Sequence, residues 1–247
     1  MNAVKWVLFL PHLLVLAGLP ALAQVSPEFC GSLRNNYGPF DYRGEANVLS
    51  PANNDSHAHR RYLVEGAHFS PRVEMLVGAQ SANQIGGPGP DIDYTLRAFP
   101  NNPRALLAVM RYGEKAKKDK PEGLHFVVEC YFERAIRFAP DDNVVRMVYT
   151  TFLTKNSRKT DALQQLQMVL NSAKDNPFTH FNVGLLYFDL GEHQKALAQA
   201  HKAAELGFVR TDLIDQLKAA GKWAEPVLRK PADAGDLSAP ASGSAKP

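Results

Sequence analysis

The sequence predicts an all-α chain. It reads as a short array of antiparallel helical hairpins, about three pairs plus a capping helix, behind an irregular, loop-rich N-terminal region. Three observations predict this. Between residues 103 and 220, apolar residues recur at helical spacing in stretches of three to four turns. Most of the breaks between them are short and carry proline or glycine, as between antiparallel neighbours. Glycine, alanine and aromatic residues also recur in register at a spacing of 34–35 residues, which is a repeat period.

The 247 residues divide into four parts: 1–23, 24–100, 101–225 and 226–247. The first carries Lys5, an apolar run over residues 6–17, and Ala21-Leu22-Ala23. That is the three-part plan of a secretory signal peptide, with small residues at the cleavage site and Gln24 opening the mature chain. A membrane anchor needs about 20 apolar residues. This run is shorter, and Pro11 and His12 interrupt it. Cys30 lies too far past it for a lipoprotein signal. No later segment is apolar enough to span a bilayer, so no stable membrane span is expected after cleavage. The expected location is the periplasm.

Residues 24–100 are rich in turns. The stretch Tyr37-Gly38-Pro39-Phe40-Asp41-Tyr42-Arg43 is aromatic but broken, and residues 50–59 read as a polar loop. Ser70 before Pro71 predicts a short helix to about Val77, ended by Gly78. Glycines and prolines over residues 86–90 make a break. Asp91 or Asp93 then caps a short helix that Pro100 terminates. Helices are expected over residues 103–112, 123–138, 144–153, 161–173, 178–190, 192–206 and 212–220. Residues 113–121 are expected as a loop, and the Ala/Ser/Pro-rich tail as disordered.

The formal net charge of +3 is too mild to argue for nucleic acid or a membrane surface. Two cysteines, Cys30 and Cys130, form an even pair in a chain expected to be exported, so a disulfide is predicted. In the chain-entropy model, closing such a loop stabilises by up to ~4.7 kcal/mol.

Residues Gly184, Tyr187, Gly191, Ala196 and Ala203 carry the repeat. Tyr149, Phe152 and Ala162 answer Gly184, Tyr187 and Ala196 one period upstream, with one extra residue near Asn156 and Val169 in place of the second alanine. Phe132, Ala135 and Pro140 repeat the ending of the second helix, and residues 103–112 supply its first. This pattern resembles the tetratricopeptide repeat (TPR) family over roughly residues 103–207. The last unit matches cleanly, the middle one is degenerate, and the first is inferred. Residues 37–43, 91–100 and 129–139 also make the chain similar to exported TPR proteins of proteobacteria, a resemblance that brings no function with it.

The resemblance implies binding of a protein or peptide segment along the face lined by the first helix of each pair. In this register the groove candidates are Arg104, Arg111, Asn143, Arg146, Thr150, Phe178, Phe181, Asn182 and Leu185, with Leu107 and Phe188 beside them. An extended segment with apolar anchors and an acid would suit that face. The family's carboxylate clamp is discounted: Asn182 fits it, but Ala108, Met147 and Phe178 stand where polar residues are needed. No metal or cofactor is expected. His57-x-His59 lacks further ligands, Asp91-x-Asp93 lacks the rest of a calcium loop, and residues 86–90 lack the Gly-Lys-Ser/Thr of a phosphate loop.

The chain is therefore expected to be a periplasmic scaffold or adaptor in an envelope assembly and not an enzyme. The alternative is an enzyme or ligand-binding protein. Its N-terminal region would gather His57, His59, His68 or Asp91 into a pocket, with the repeats as a docking arm. A third reading has residues 24–100 packing along the helices and filling the groove, tethered by Cys30 and Cys130.

Overall fold

The computed structural model describes residues 29–43, 57–79 and 86–226. The expected signal (1–23) and the tail from residue 227 lie outside the described residues. Among the described residues there are helices and no strands: α1 (His57–His68), α2 (Pro71–Glu74), α3 (Gly89–Ala98), α4 (Pro103–Ala116), α5 (Val128–Phe138), α6 (Asn143–Lys155), α7 (Lys159–Ala173), α8 (Pro177–Asp189), α9 (His193–Glu205) and α10 (Asp212–Ala219). The protein is an all-α array of helical hairpins. The pairs α6–α7 and α8–α9 are tight, while residues 117–127 loosen α4–α5. Helices α4, α6 and α8 lie side by side, and α10 continues that row against α8 and α9. One continuous apolar core runs from Phe69 and Val73 to Leu213 and Leu217.

The row of first helices starts the same way three times. The Asn102 side chain accepts from the amides of Arg104 and Ala105 at 3.1 and 3.2 Å. Asp142 accepts from Val144 and Val145 at 3.0 and 3.2 Å, and Asn176 from Thr179 at 3.0 Å. Each such cap stabilises a helix by about 1 kcal/mol over alanine. The turn before the cap also recurs. Phe99 (φ −130°, ψ 82°) and Ala139 (φ −131°, ψ 76°) leave α3 and α5 with matching backbones. Pro100-Asn101-Asn102 and Pro140-Asp141-Asp142 follow them. Helix α3 thus stands to α4 as α5 stands to α6, and the stacking begins before residue 101.

Several N-terminal elements differ from expectation. Helix α1 begins at His57, inside the stretch read as a loop. Among its described side chains only Val64 is fully buried, so no apolar stripe marked it. It docks by charge on aromatic faces instead: Arg60 lies 4.5 Å from the Phe40 ring and Arg61 4.5 Å from Tyr42. Helix α2 stops at Glu74, short of Val77, and the Ser70 side chain makes no capping bond. Asp91 and Asp93 lie inside α3 and do not cap it. The helix starts at Gly89, where a Cβ would fall 2.0 Å from the Glu122 carbonyl oxygen, so only glycine fits. Helix α4 runs four residues further than expected, and α5 starts five residues later.

Residues 29–43 form an irregular strap across α3, α5 and the start of α6. Cys30 and Cys130 are disulfide-bonded and buried, which joins the strap to α5. Beneath it the buried Arg134 guanidinium donates to the carbonyls of Cys30 and Ser32 at 3.1 and 2.6 Å, and Arg137 to that of Gly31 at 2.9 Å. Asp93, 1% exposed, accepts from Tyr131 Oη (2.5 Å), Arg97 Nε (2.8 Å) and the His125 amide (3.1 Å). Arg97 passes the connection on to Asn35 of the strap at 2.9 Å.

Two outcomes are expected of this packing. Replacing the disulfide with Cys30→Ser and Cys130→Ser should lower stability by about 2–4 kcal/mol. Urea midpoints under oxidising conditions measure the loss, and an unchanged midpoint would show the strap is held by hydrogen bonds alone. At Gly184 a Cβ would fall 2.4 Å from Leu213 Cδ2 and 3.2 Å from Gln199 Cβ. Gly184→Ala gains ~1 kcal/mol of helix propensity, but overpacking costs about 1–3 kcal/mol. The net effect should be destabilising, and in a Leu213→Ala background it should become stabilising. A double-mutant cycle reads the reversal.

Candidate functional site

The nine residues expected to line a groove separate in the structure. Arg104 is engaged by the N-terminal region: its Nε donates to Glu74 of α2 at 3.0 Å, and its guanidinium lies 5.6 Å from the Phe69 ring. Arg111 is exposed and bonds the Leu107 carbonyl of its own helix at 3.2 Å. Asn143 accepts from Ser172 of α7 at 2.7 Å. Arg146 turns to the same helix, bonding Gln165 at 2.8 Å and the Pro140 carbonyl at 2.8 Å. Thr150 and Phe181 are buried in the core, 0% and 3% exposed, because α6 and α8 turn those positions toward their neighbours. Phe181 packs on Phe208 at 4.6 Å, and Phe178 is half exposed.

Asn182 and Leu185 do line a groove, together with Leu186 and Asp189 of α8 and Met147, Val148 and Thr151 of α6. Its volume is about 260 Å³. No described residue before α6 lines it, so the described part of the N-terminal region does not fill it. Its walls are mainly apolar. Asp189 stands at the rim, and burial against the groove holds its carboxyl above the ordinary carboxylate value. Adjacent first helices place these residues: positions 147, 148 and 151 share one face of α6, and 182, 185, 186 and 189 one face of α8. A helical register could have found this set. Listing each helix separately missed it, because the groove lies between two of them.

A second cavity of about 520 Å³ opens where α4 ends and α5 begins. Phe29, Met110, Val128 and Phe152 give it apolar walls. Lys117, Lys118, Lys155 and Arg158 line it together with Glu114, Asp119 and Glu129. None of these is legible in the sequence as a site residue, Phe152 marking only the repeat, since they come from separate elements that only tertiary packing brings together.

Behind this cavity lies a carboxylate pair one helical turn apart on α5. The Tyr149 hydroxyl is 2.6 Å from Glu129 Oε1 and 2.9 Å from Glu133 Oε1. Its ring stacks on Phe132 at 5.2 Å. Glu129 is ion-paired with Arg158, which also holds Asp161 at 2.7 Å. Burial and the two acids push the Tyr149 phenol far above its usual range, so it keeps its proton. One proton serves one acceptor, and the shorter contact is to Glu129. Glu133 therefore meets a phenolic oxygen with no proton to offer, unless it carries one itself. Burial raises the Glu133 carboxyl most; the Tyr149 contact opposes it, the Glu129 charge adds to it, and the net direction is up.

The other titratable pairs are structural in setting. His68 Nδ1 is 3.0 Å from Asp91 Oδ1, and its ring lies tilted against Tyr94, centroids 4.0 Å apart. His125 Nδ1 is 2.8 Å from Asp93 Oδ2. Of the residues required for N-terminal chemistry, His68 and Asp91 do meet, but neither lines either cavity. The side chain of His57 lies outside the described residues. Among the described residues, no group of three or more His, Cys, Asp or Glu is placed to hold a metal. None of the described helices is long and apolar enough to cross a membrane. No protein-family model, curated protein or solved structure matches the chain.

The Glu133 geometry has a pH consequence. A carboxyl raised on folding weakens the fold when ionised, so its cost is absent below the ordinary value of 4.5 and grows as pH rises through the folded value. Glu133→Gln keeps the shape and supplies a donor to Tyr149. Its melting temperature should match that of the parent near pH 4 and exceed it at pH 8. Parallel melting curves across that range would exclude a neutral Glu133.

Proposed function

We propose that the chain is an exported scaffold of the tetratricopeptide type that holds an extended segment of a partner protein in the groove between α6 and α8. The observation that carries this reading is the groove itself. Two adjacent helices offer apolar walls, uncovered by the described N-terminal residues, with one acid at the rim. Asp189 is exposed at the rim with no ion pair among the described residues, and a partner cation would pair with it there. The segment best suited has apolar anchors and a Lys or Arg, rather than the acid expected from sequence. Arg104 and Arg146 are tied to α2 and α7, and the exposed Arg111 does not line this groove, so the positive residues on which that expectation rested are not beside it. The secretory pattern of residues 1–23 and the Cys30–Cys130 disulfide support an oxidising compartment such as the periplasm.

The test is selection from a random peptide library, followed by affinity measurement by fluorescence anisotropy. Selected peptides should carry two apolar anchors and a basic residue. Leu185→Glu should weaken them at least about tenfold, since a buried unpaired charge costs more than about 1.4 kcal/mol. Asp189→Asn should abolish the preference for a base over an acid. Peptides that bind parent and Leu185→Glu equally would place recognition elsewhere on the protein.

A further inference from the structure

The cavity at the α4–α5 junction is separate from the groove and shares no lining residue with it. Its volume of about 520 Å³ falls in the range of small-molecule sites, which are mostly apolar with a few placed polar groups. The charges around it are not evenly matched. Lys155 is paired with Glu114 at 3.0 Å, and Arg158 with Glu129. This leaves Lys117 and Lys118 against Asp119, an excess of one positive charge. Lys117 ends α4 in the left-handed conformation (φ 53°, ψ 42°). This is a helix-ending conformation, and it fixes where the Lys117 backbone leaves the helix beside the cavity. The apolar wall comes from three helices and the strap: Met110 from α4, Val128 from α5, Phe152 from α6, and Phe29 beside the buried Cys30. Phe29 is 63% exposed, so the wall is open to an incoming ligand.

We propose that this cavity binds a single-chain amphipathic monoanion, an alkyl carboxylate. Its tail lies against Phe29, Met110, Val128 and Phe152, and its head lies at Lys117 and Lys118. One excess positive charge matches one carboxylate. The volume matches one drug-sized ligand and not a two-chain lipid. The site needs no catalytic group and leaves the Glu129–Arg158 pair intact.

Isothermal titration of the oxidised full-length protein tests this, using sodium decanoate, decanol and decyltrimethylammonium below their aggregation concentrations. Decanoate should bind saturably at one site, about tenfold more tightly than either other probe, since two exposed lysines supply about that factor. Lys117→Ala with Lys118→Ala should remove the advantage over decanol without changing decanol binding. Both lysines are exposed, so the fold should persist. Phe29→Ala should weaken decanoate and decanol alike, an independent arm if the lysine variant misfolds. Equal affinity for all three probes, decanoate binding that neither variant changes, or no saturable heat would each overturn the proposal.

Discussion

Arg134 is the constraint on which the N-terminal half depends. Its side chain is 1% exposed, and its pKa is lowered by burial first and by neighbouring Arg137 next. A buried cation needs partners, because desolvating one without them costs several kcal/mol. Here the partners are backbone carbonyls of an irregular strap, and the Phe126 ring lies 4.3 Å from the guanidinium. The strap has no helix to satisfy its own carbonyls, so they take up the Arg134 Nη1 donor, while the buried Arg134 Nε has no partner among the described residues. The Cys30–Cys130 bond keeps them together. With the strap in place, Asn35 reaches Arg97, Tyr42 reaches Glu65 of α1, and Phe40 packs on Phe99. Phe29 is also placed, and with it one wall of the larger cavity.

The C-terminal half obeys a different rule, that of small residues and shared caps. Gly184 lets Leu213 of α10 fill the space beside α8, and the alanines at 196, 200 and 203 are fully buried. One period upstream, Tyr149 stands where Gly184 stands, so the packing there cannot be the same. Its ring stacks on Phe132 and Phe152, which also touch each other, and its hydroxyl is carried to the two carboxylates of α5. The degenerate unit is therefore the one with a polar network, and the larger cavity lies beside it. Asn101 and Asp142 make a similar junction between the strap and α6: Asn101 donates to Asp41 at 2.8 Å and to Asp142 at 3.0 Å.

The sequence alone determined the helices from α4 to α10, the hairpin plan and the disulfide. Those rest on local signals: apolar period, proline and glycine breaks, and an even cysteine count. It did not determine α1, which docks by cations over rings, Val64 and the polar contacts of Glu65 and His68 and not by an apolar stripe, nor the burial of Asp91 against His68 of α1 and of Asp93 against α5 and the loop before it. Nor did it determine the sites. Thr150 and Phe181 share a helical spacing with Asn182 and Leu185, but only packing decides which turn inward. The α6–α8 groove and the α4–α5 cavity are spaces between elements, fixed by how far apart helices stand and how they are rotated. Period and propensity describe one helix at a time, so the distances between helices belonged to the tertiary structure.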